Sequence, residues 1–471
     1  MVKPDYFSDG EWAVFGANAP APEAGRGPNN VKDTPPEFSE ETLALRFADR
    51  HAWDLRFVAA WNRWLIWNGQ CWRFDETRHA FDHSRRVCRQ AAAECGSPRV
   101  AAFIASAKTV AAVERLASAD RRLAATTDQW DADPWLLNTP DGVLDLRTGK
   151  LRPHRAEDHM TRIAAVGPRG DCPRFLAFLD RISGRDGDLI SYLQRVLGYA
   201  LTGLTREHAL FFAYGTGANG KSVLLSTISG LLGDYHKTAP IEAFVASNGD
   251  RHPTDLAGLR GARLVTATET EEGRRWAEAR IKQLTGGDTV SARFMRQDFF
   301  EYRPQFKLVI AGNHKPSLRS VDEAIRRRFH LIPFAVTIPA EERDGDLVEK
   351  LKAEWPGILA WLVEGCLNWQ VEGLRQPQAV LEATEAYLSA EDTIAAWIDD
   401  KCERSVAAWE SSSALFASWS AWANAAGENS GSNKRFAQAL ETRGFAPIRK
   451  MRGRGFEGLR LRHEGNEWEA V

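Results

Sequence analysis

The sequence predicts an α/β protein, with a mostly parallel sheet between layers of helix. An α+β region precedes this core, and a helical connector and a C-terminal helix-plus-hairpin unit follow it. Three observations carry that reading. From 206 to 335, apolar runs ("HALFFAY", "ARLVTATE", "FKLVIAG", "HLIPF") alternate with helical runs, the pattern of strands joined by crossover helices. Upstream, two apolar stretches fold back on themselves around glycines; downstream, a helical stretch leads into a basic, glycine-punctuated pair of strands. The chain has 471 residues and is 44% hydrophobic. Length alone gives about three domains of about 150 residues each.

Residues 1–37 concentrate Pro, Gly, Ala and Asn in "ANAPAPEAGRGPNNVKDTPPE" and read as a flexible leader that buries little. The α+β region spans 38–174. It opens on Ser39, placed to cap a helix whose first turn carries Glu40 and Glu41 at the positive end of the dipole. Leu43 and Phe47 begin its apolar face. "RWLIWNGQCWRFD" predicts a hairpin turning at Asn68-Gly69, the pair suited to a type I′ turn. Residues 83–125 are Ala- and Arg-rich and read as helical, and "GVLDLRTGKLRPH" predicts a second hairpin at Thr148-Gly149. Residues 175–340 hold a helical collar and the α/β core. Residues 341–390 form the connector, with a stop before Pro356, and 391–471 form the C-terminal unit.

Composition narrows the function classes. Net charge is −2, so any nucleic-acid contact must come from local patches. No apolar run approaches the ~18 residues of a membrane span, and the N-terminus lacks the apolar core of a signal peptide. The six cysteines show no CxxC spacing, which fits reduced thiols and a cytoplasmic protein. Most of the 17 tryptophans sit in periodic apolar runs and read as core.

Residues 215–222, "GTGANGKS", match G-x-x-x-x-G-K-[ST] at every position. A strand precedes the loop, and a helix with Leu224, Ile228, Leu231 and Leu232 on one face follows. Gly215, Thr216, Gly217, Ala218, Asn219 and Gly220 would turn backbone N–H groups toward phosphates at the helix N-terminus, with Val223 in its first turn. Lys221 would reach the β- and γ-phosphates and Ser222 would hold Mg²⁺, making ATP and Mg²⁺ the expected cofactors. "ARLVTATETEE" then supplies Glu269 at a strand end. Thr268 precedes it instead of a second acid, so Glu269 serves both metal and water, with Thr268 or Glu271 assisting. The alternative is that Glu269, Glu271 and Glu272 merely cap the next helix. A third strand ends at Asn313, where an amide can orient water. "DEAIRRRF" places three arginines at a helix end, either as solvated charge complementing the dipole or as an arginine finger for a neighbouring subunit's nucleotide.

Together, "GTGANGKS", "ARLVTATETEEGRRW", "IKQLTGGDTVSARFMRQDFFEYRPQFKLVIAGNHKP" and "DEAIRRRFHLIPF" resemble the superfamily 3 helicases of viruses. The resemblance is nearest to the phage and plasmid primase-helicase branch related to the large poxvirus primase-helicase. It covers about 206–335 closely, and "DPWLLNTPDGVLDLRTGKL" and the C-terminal segment more loosely. The family has an AAA+-type P-loop ATPase core, forms hexameric rings and translocates on single-stranded DNA, typically 3′ to 5′. The resemblance implies Lys221 and Ser222 as Walker A residues, Glu269 as the Walker B acid and Asn313 as the sensor. It implies Arg328 as the finger, with Arg327 as second choice, and Lys282 as a basic residue reaching the neighbour's phosphates. Residues 291–304 fill the slot of the DNA-gripping hairpin, with Arg293 and Arg296 as its candidate contacts. No acid pair for nucleotidyl transfer is found, so priming is expected to be absent or supplied by a separate primase or polymerase.

Residues 434–462 carry nine basic against two acidic side chains, a local +7. A helix followed by a basic hairpin predicts a winged-helix-like module gripping DNA phosphates through Arg449, Lys450, Arg452 and Arg454. The expectation is an ATP-dependent, homo-hexameric DNA helicase acting on single-stranded and forked DNA in the bacterial host cytoplasm, for a phage, plasmid or satellite. Two rivals remain: an ATP-regulated origin-binding or remodelling factor without processive unwinding, and a P-loop kinase acting on a small molecule.

Overall fold

The structure, a computed structural model, describes residues 35–246, 254–269, 274–295, 298–318, 321–427, 430–450 and 453–462. All of the expected leader except its last three residues lies outside that set. The chain divides into two compact units, one reaching Ala52 and resuming over Asp75–Ala124, the other comprising Trp53–Phe74 and Ala125 onward.

The first unit is helical: Glu40–His51, His79–Glu94, Pro98–Ile104 and Ala107–Ala117. Ser39 caps the first helix, its hydroxyl accepting from the Thr42 N–H at 3.2 Å, and Leu43 and Phe47 are buried. Pro98 starts a helix instead of ending one, because its missing N–H is an orphan at the first turn anyway.

In the second unit, Arg63–Trp67 pairs antiparallel with Trp72–Phe74, Trp67 opposite Trp72. The hairpin is where the sequence predicts it, but its turn differs. Asn68 lies before the bend, its side-chain oxygen accepting from the N–H groups of Gln70 (2.9 Å) and Cys71 (2.8 Å). Gly69, at φ +95°, makes the bend, and Asn68 is absent from the positive-φ residues a type I′ turn would need. The side chain replaces the backbone as the organiser of the turn. The second hairpin pairs Gly142–Asp145 with Lys150–Arg152, and Gly149 takes φ +71° at the turn.

The core sheet has five parallel strands: β1 (Leu210–Tyr214), β2 (His236–Thr238), β3 (Leu264–Glu269), β4 (Lys307–Gly312) and β5 (Phe329–Pro333). They lie side by side in the order β5-β1-β4-β3-β2. The near-continuous apolar character of β1 and β4 follows from burial on both faces. Phe211 and Ala213 join Val309, Ala311 and Ile332 in one hydrophobic cluster, while Leu210 and Phe212 join Leu308, Ile310 and Leu331 in the other. Side chains of one strand alternate between the two layers.

One layer contains α1 (Gly187–Ala200), α2 (Lys221–Leu232) and α4 (Trp355–Glu372); α3 (Glu278–Gly286) lies in the other. α1 and α4 cross at glycine contacts. A Cβ on Gly198 would stand 2.2 Å from the Cys366 nitrogen, and one on Gly365 would stand 2.1 Å from the Gln194 carbonyl.

The foot of the sheet holds two buried basic side chains. Arg263 donates to the carbonyls of Leu201 (2.6 Å) and Leu136, and Lys307 donates to those of Thr202 and Leu204. Burial pushes both pKa values down, that of Lys307 far down. Carbonyls just past the end of α1, where the helix dipole is negative, stand in for carboxylate partners.

After the connector, Cys402–Ser411 pairs with Gly453–Leu461, which also pairs with Pro447–Lys450, giving a three-stranded antiparallel sheet. Helices Thr393–Lys401, Ser412–Ala425 and Asn433–Thr442 pack on it through Trp397, Trp419, Phe436 and Leu440. Among the described residues no helix is long and apolar enough to cross a membrane. All six cysteines are unpaired.

Candidate active site

The C-terminal ends of three adjacent strands stop at one level. Tyr214 of β1 faces Gly312 of β4, and Gly312 faces Glu269 of β3. The glycine loop, Asn313 and Glu269 are therefore neighbours along one edge of the sheet. Crevices outside the carboxyl ends of parallel strands are where α/β sheets bind ligands.

The loop over 215–220 leads directly into α2. Gly217 (φ +109°) and Gly220 (φ +81°) take left-handed backbone, and so does Ala218 at φ +50°, a conformation costing an alanine about 1–2 kcal/mol. The Ala218 carbonyl is held by the Ile338 N–H at 2.8 Å. Gly215 has no room for a side chain, since a Cβ there would lie 2.1 Å from the Asn219 amide nitrogen and 2.5 Å from the Phe334 carbonyl. Asn219 is buried and donates to that carbonyl at 3.2 Å.

Lys221 is buried at the first position of α2, and three oxygens surround its ammonium: the Gly215 carbonyl at 2.7 Å, Asn219 Oδ1 at 2.9 Å and Asn313 Oδ1 at 3.2 Å. None is a carboxylate. Burial lowers the lysine pKa. A cation held by neutral oxygens beside backbone N–H groups at a helix N-terminus fits a polyphosphate. Thr216 and Ser222 are exposed, and Val223 is half-buried. The Glu269 backbone is fixed by β3, while its side chain, like Glu271, lies outside the described set.

The three arginines separate sharply. Arg326 forms a two-pronged contact with Glu385 (3.0 and 2.9 Å). Arg328, expected to reach a neighbouring subunit, is 7% exposed, donating to the Ala324 carbonyl at 2.7 Å and to Thr285 of α3 at 3.3 Å. Arg327 is exposed and makes no side-chain hydrogen bond with the described residues. Lys282 is bonded to Asp322, whose carboxylate burial pushes up but which Lys282 and the Ile325 N–H pull below its ordinary pKa.

Lys315, which sequence reasoning passed over, has its ammonium 4.4 Å from the centre of the Tyr214 ring, at the root of the glycine loop. Its only signal was a basic residue two places after the strand-ending amide.

Val290–Ala292 and Phe300–Tyr302 form a hairpin. The described side chains between them are not core: Phe294 is 42%, Met295 67% and Phe299 58% exposed, and Arg293 stacks on Phe299 at 4.7 Å. Arg296 and Arg452 lie outside the described residues. Arg449 and Arg454 are exposed and opposite one another across the C-terminal hairpin, and Lys450 pairs with Glu457 at 3.3 Å.

Comparison with known proteins adds relatives to this geometry. Residues 44–184 match the family described as "D5 N terminal like", and 213–328 match a family of unknown function (DUF5906). Curated relatives are viral proteins named "Putative helicase". That of Acanthamoeba polyphaga mimivirus is 26% identical over 57% of this chain and 31% of its own length. That of Invertebrate iridescent virus 6 is 27% identical over 59% and 33%, and that of Frog virus 3 is 26% identical over 49% and 26%. The chain thus spans a third or less of the relatives it matches. Among solved structures, an apo form of the NrS-1 C terminal region aligns over 90% of this chain and 99% of that one, at 10% identity and TM-score 0.48. A second apo form aligns over 76% and 77%, at 12% identity and TM-score 0.44. The chain is thus a mixed α/β protein with a parallel sheet, similar over 44–184 to the D5 N terminal like family and, over about half its length, to viral proteins named putative helicases.

Proposed function

We propose that this chain is an ATP-dependent DNA helicase of the AAA+ type, related to the viral primase-helicases, serving replication of a virus or mobile element. One observation carries the reading. In a sheet ordered β5-β1-β4-β3-β2, the ends of β1, β4 and β3 align, so that the glycine loop, Asn313 and Glu269 share one edge. The similarity to viral proteins named helicases supports the substrate class.

ATP would be held by the loop N–H groups of 215–222 and by Lys221, and Mg²⁺ by Ser222 and Glu269. Hydrolysis supplies the free energy for movement when the nucleotide is bound. Lys221 compensates phosphate charge, its ammonium bonded among the described residues to neutral oxygens. Glu269 accepts the proton of the attacking water, and Asn313 orients that water. Arg327, exposed, is the better finger toward a neighbouring subunit, while Arg328 is held inside its own subunit by Ala324 and Thr285. Lys282 lies on the same side, tied to Asp322. Subunits assemble as a hexameric ring moving 3′ to 5′ on single-stranded DNA. The 290–302 hairpin grips the strand, and the C-terminal unit acts as a winged helix on duplex phosphates.

ATP turnover with and without single-stranded DNA, together with strand displacement on a fork, tests this. DNA-stimulated turnover with displacement is expected. Turnover without displacement would favour an origin-remodelling factor, and turnover indifferent to DNA would favour a small-molecule phosphotransferase.

A further inference from the structure

We propose a second single-strand contact, on the hairpin built from Arg63–Trp67 and Trp72–Phe74, that continues from the 290–302 hairpin as one ladder of rings and guanidinium groups. The inference rests on the single-strand reading above. From the tip inward, Phe294 stacks on Phe300 (5.8 Å), and Arg260 lies over Phe300 (5.4 Å) and over Trp61 (5.7 Å). Trp61 then meets Phe74 edge-on at 5.6 Å, and Arg63 covers Phe74 at 5.0 Å. These distances join two hairpins far apart in sequence into one unbroken series.

Its two ends are exposed, while Trp61, Arg260 and Phe300 between them are half-buried. Arg63, Arg260 and Arg293 each use a guanidinium face on a ring, and none makes a side-chain hydrogen bond or ion pair with the described residues. Arg260 is half-buried, and burial is the largest influence on it, ahead of repulsion from Arg162 and attraction from Asp131, whose carboxylate also accepts from the Thr161 N–H at 2.8 Å. Phe74 is 40% exposed and Arg63 is exposed at the outer end. An arginine stacked by its face keeps its N–H edge for an anion. Rings alternating with such edges match the bases and phosphates of a single strand, where stacking is tolerant of sequence. Asp298 and Glu301 flank the 290–302 end of the ladder, and Asp75 and Glu76 follow Phe74 at the other, so Arg63, exposed and without a carboxylate partner among the described residues, is the point of phosphate contact.

The test uses the full chain, a fluorescently labelled oligothymidine and anisotropy titrations at several salt concentrations. Phe74→Ala should weaken binding about tenfold through lost stacking and leave the salt slope unchanged, whereas Phe74→Tyr should restore affinity. Arg63→Ala should weaken binding and reduce the log–log salt slope by about 0.7, the value for one phosphate contact on a single strand. Thermal midpoints of these edge variants should match the parent, which separates contact from packing. Parent-like affinity and slope in both alanine variants, with the parent binding and unwinding DNA, would overturn the ladder alone and assign the surface to a protein contact. A parent that does not bind oligothymidine would overturn the ladder and the helicase reading together.

Discussion

At Lys221 the side chain and its loop have separable roles. Among the described residues the ammonium bonds to Gly215, Asn219 and Asn313 oxygens, so Lys221→Ala should keep its circular dichroism and lose ATP turnover about a hundredfold or more. Normal turnover in the folded variant would remove the loop from the mechanism. The arginines give a sharper contrast. Arg328→Ala deletes ties to Ala324 and Thr285 and should lower unfolding free energy by about 1–3 kcal/mol, read from denaturant midpoints. Arg327→Ala should leave the midpoint alone and cut turnover by on the order of 10³–10⁵. Mixing it with Lys221→Ala protein should recover part of the activity at interfaces that combine an intact loop with an intact finger. An Arg328→Ala protein of unchanged stability and no turnover would return the finger role to Arg328.

At the scale of elements, His330 of β5 offers a pH test. It is buried, bonded to the Tyr192 hydroxyl at 2.6 Å, and burial drives its pKa from 6.5 down to about 4. Above 6.5 both folded and unfolded chains hold it neutral. As pH falls from 6.5 toward 4 the unfolded chain takes a proton that the folded chain refuses, so stability falls through that window, by up to about 3 kcal/mol. Urea midpoints should drop from pH 7 to pH 4, and His330→Asn should make the slope shallower, with His236, which burial also drives to about 4, keeping a share of it; an equally steep slope in the variant would assign it to other groups. Elements also show what the sequence could and could not disclose. "GTGANGKS" and the runs of β1 and β4 are local patterns and are legible, as is the Ser39 cap. The adjacency of β1 to β4 is not, because apolar character says that a strand is buried and not which strand lies beside it. The Asn68 turn was misplaced because its organiser is a side-chain oxygen, and the pair Asn-Gly suits two turn geometries. Arg327 and Arg328 look equivalent in "RRR"; only Thr285, on another helix, distinguishes them.

For the whole molecule, engine and basic tail belong to different cores: Phe456 and Leu459 cluster with Trp397 and Trp419, apart from the clusters around the parallel sheet. Deleting residues 393–471 should therefore spare basal ATP turnover while lowering duplex affinity and its salt slope. Unchanged binding in a filter or anisotropy assay would reassign the tail to assembly. The two basic side chains at the foot of the sheet carry a mechanical consequence. Arg263 and Lys307 fasten the N-terminal ends of β3 and β4 to backbone just past α1, with carbonyls as partners that neither acid nor moderate salt can neutralise. The same two strands end at Glu269 and Gly312 beside the glycine loop. The two strands are thus tied at the foot by contacts separate from those that hold the loop edge, so a rearrangement at the loop edge would have the foot of the sheet as its fixed reference.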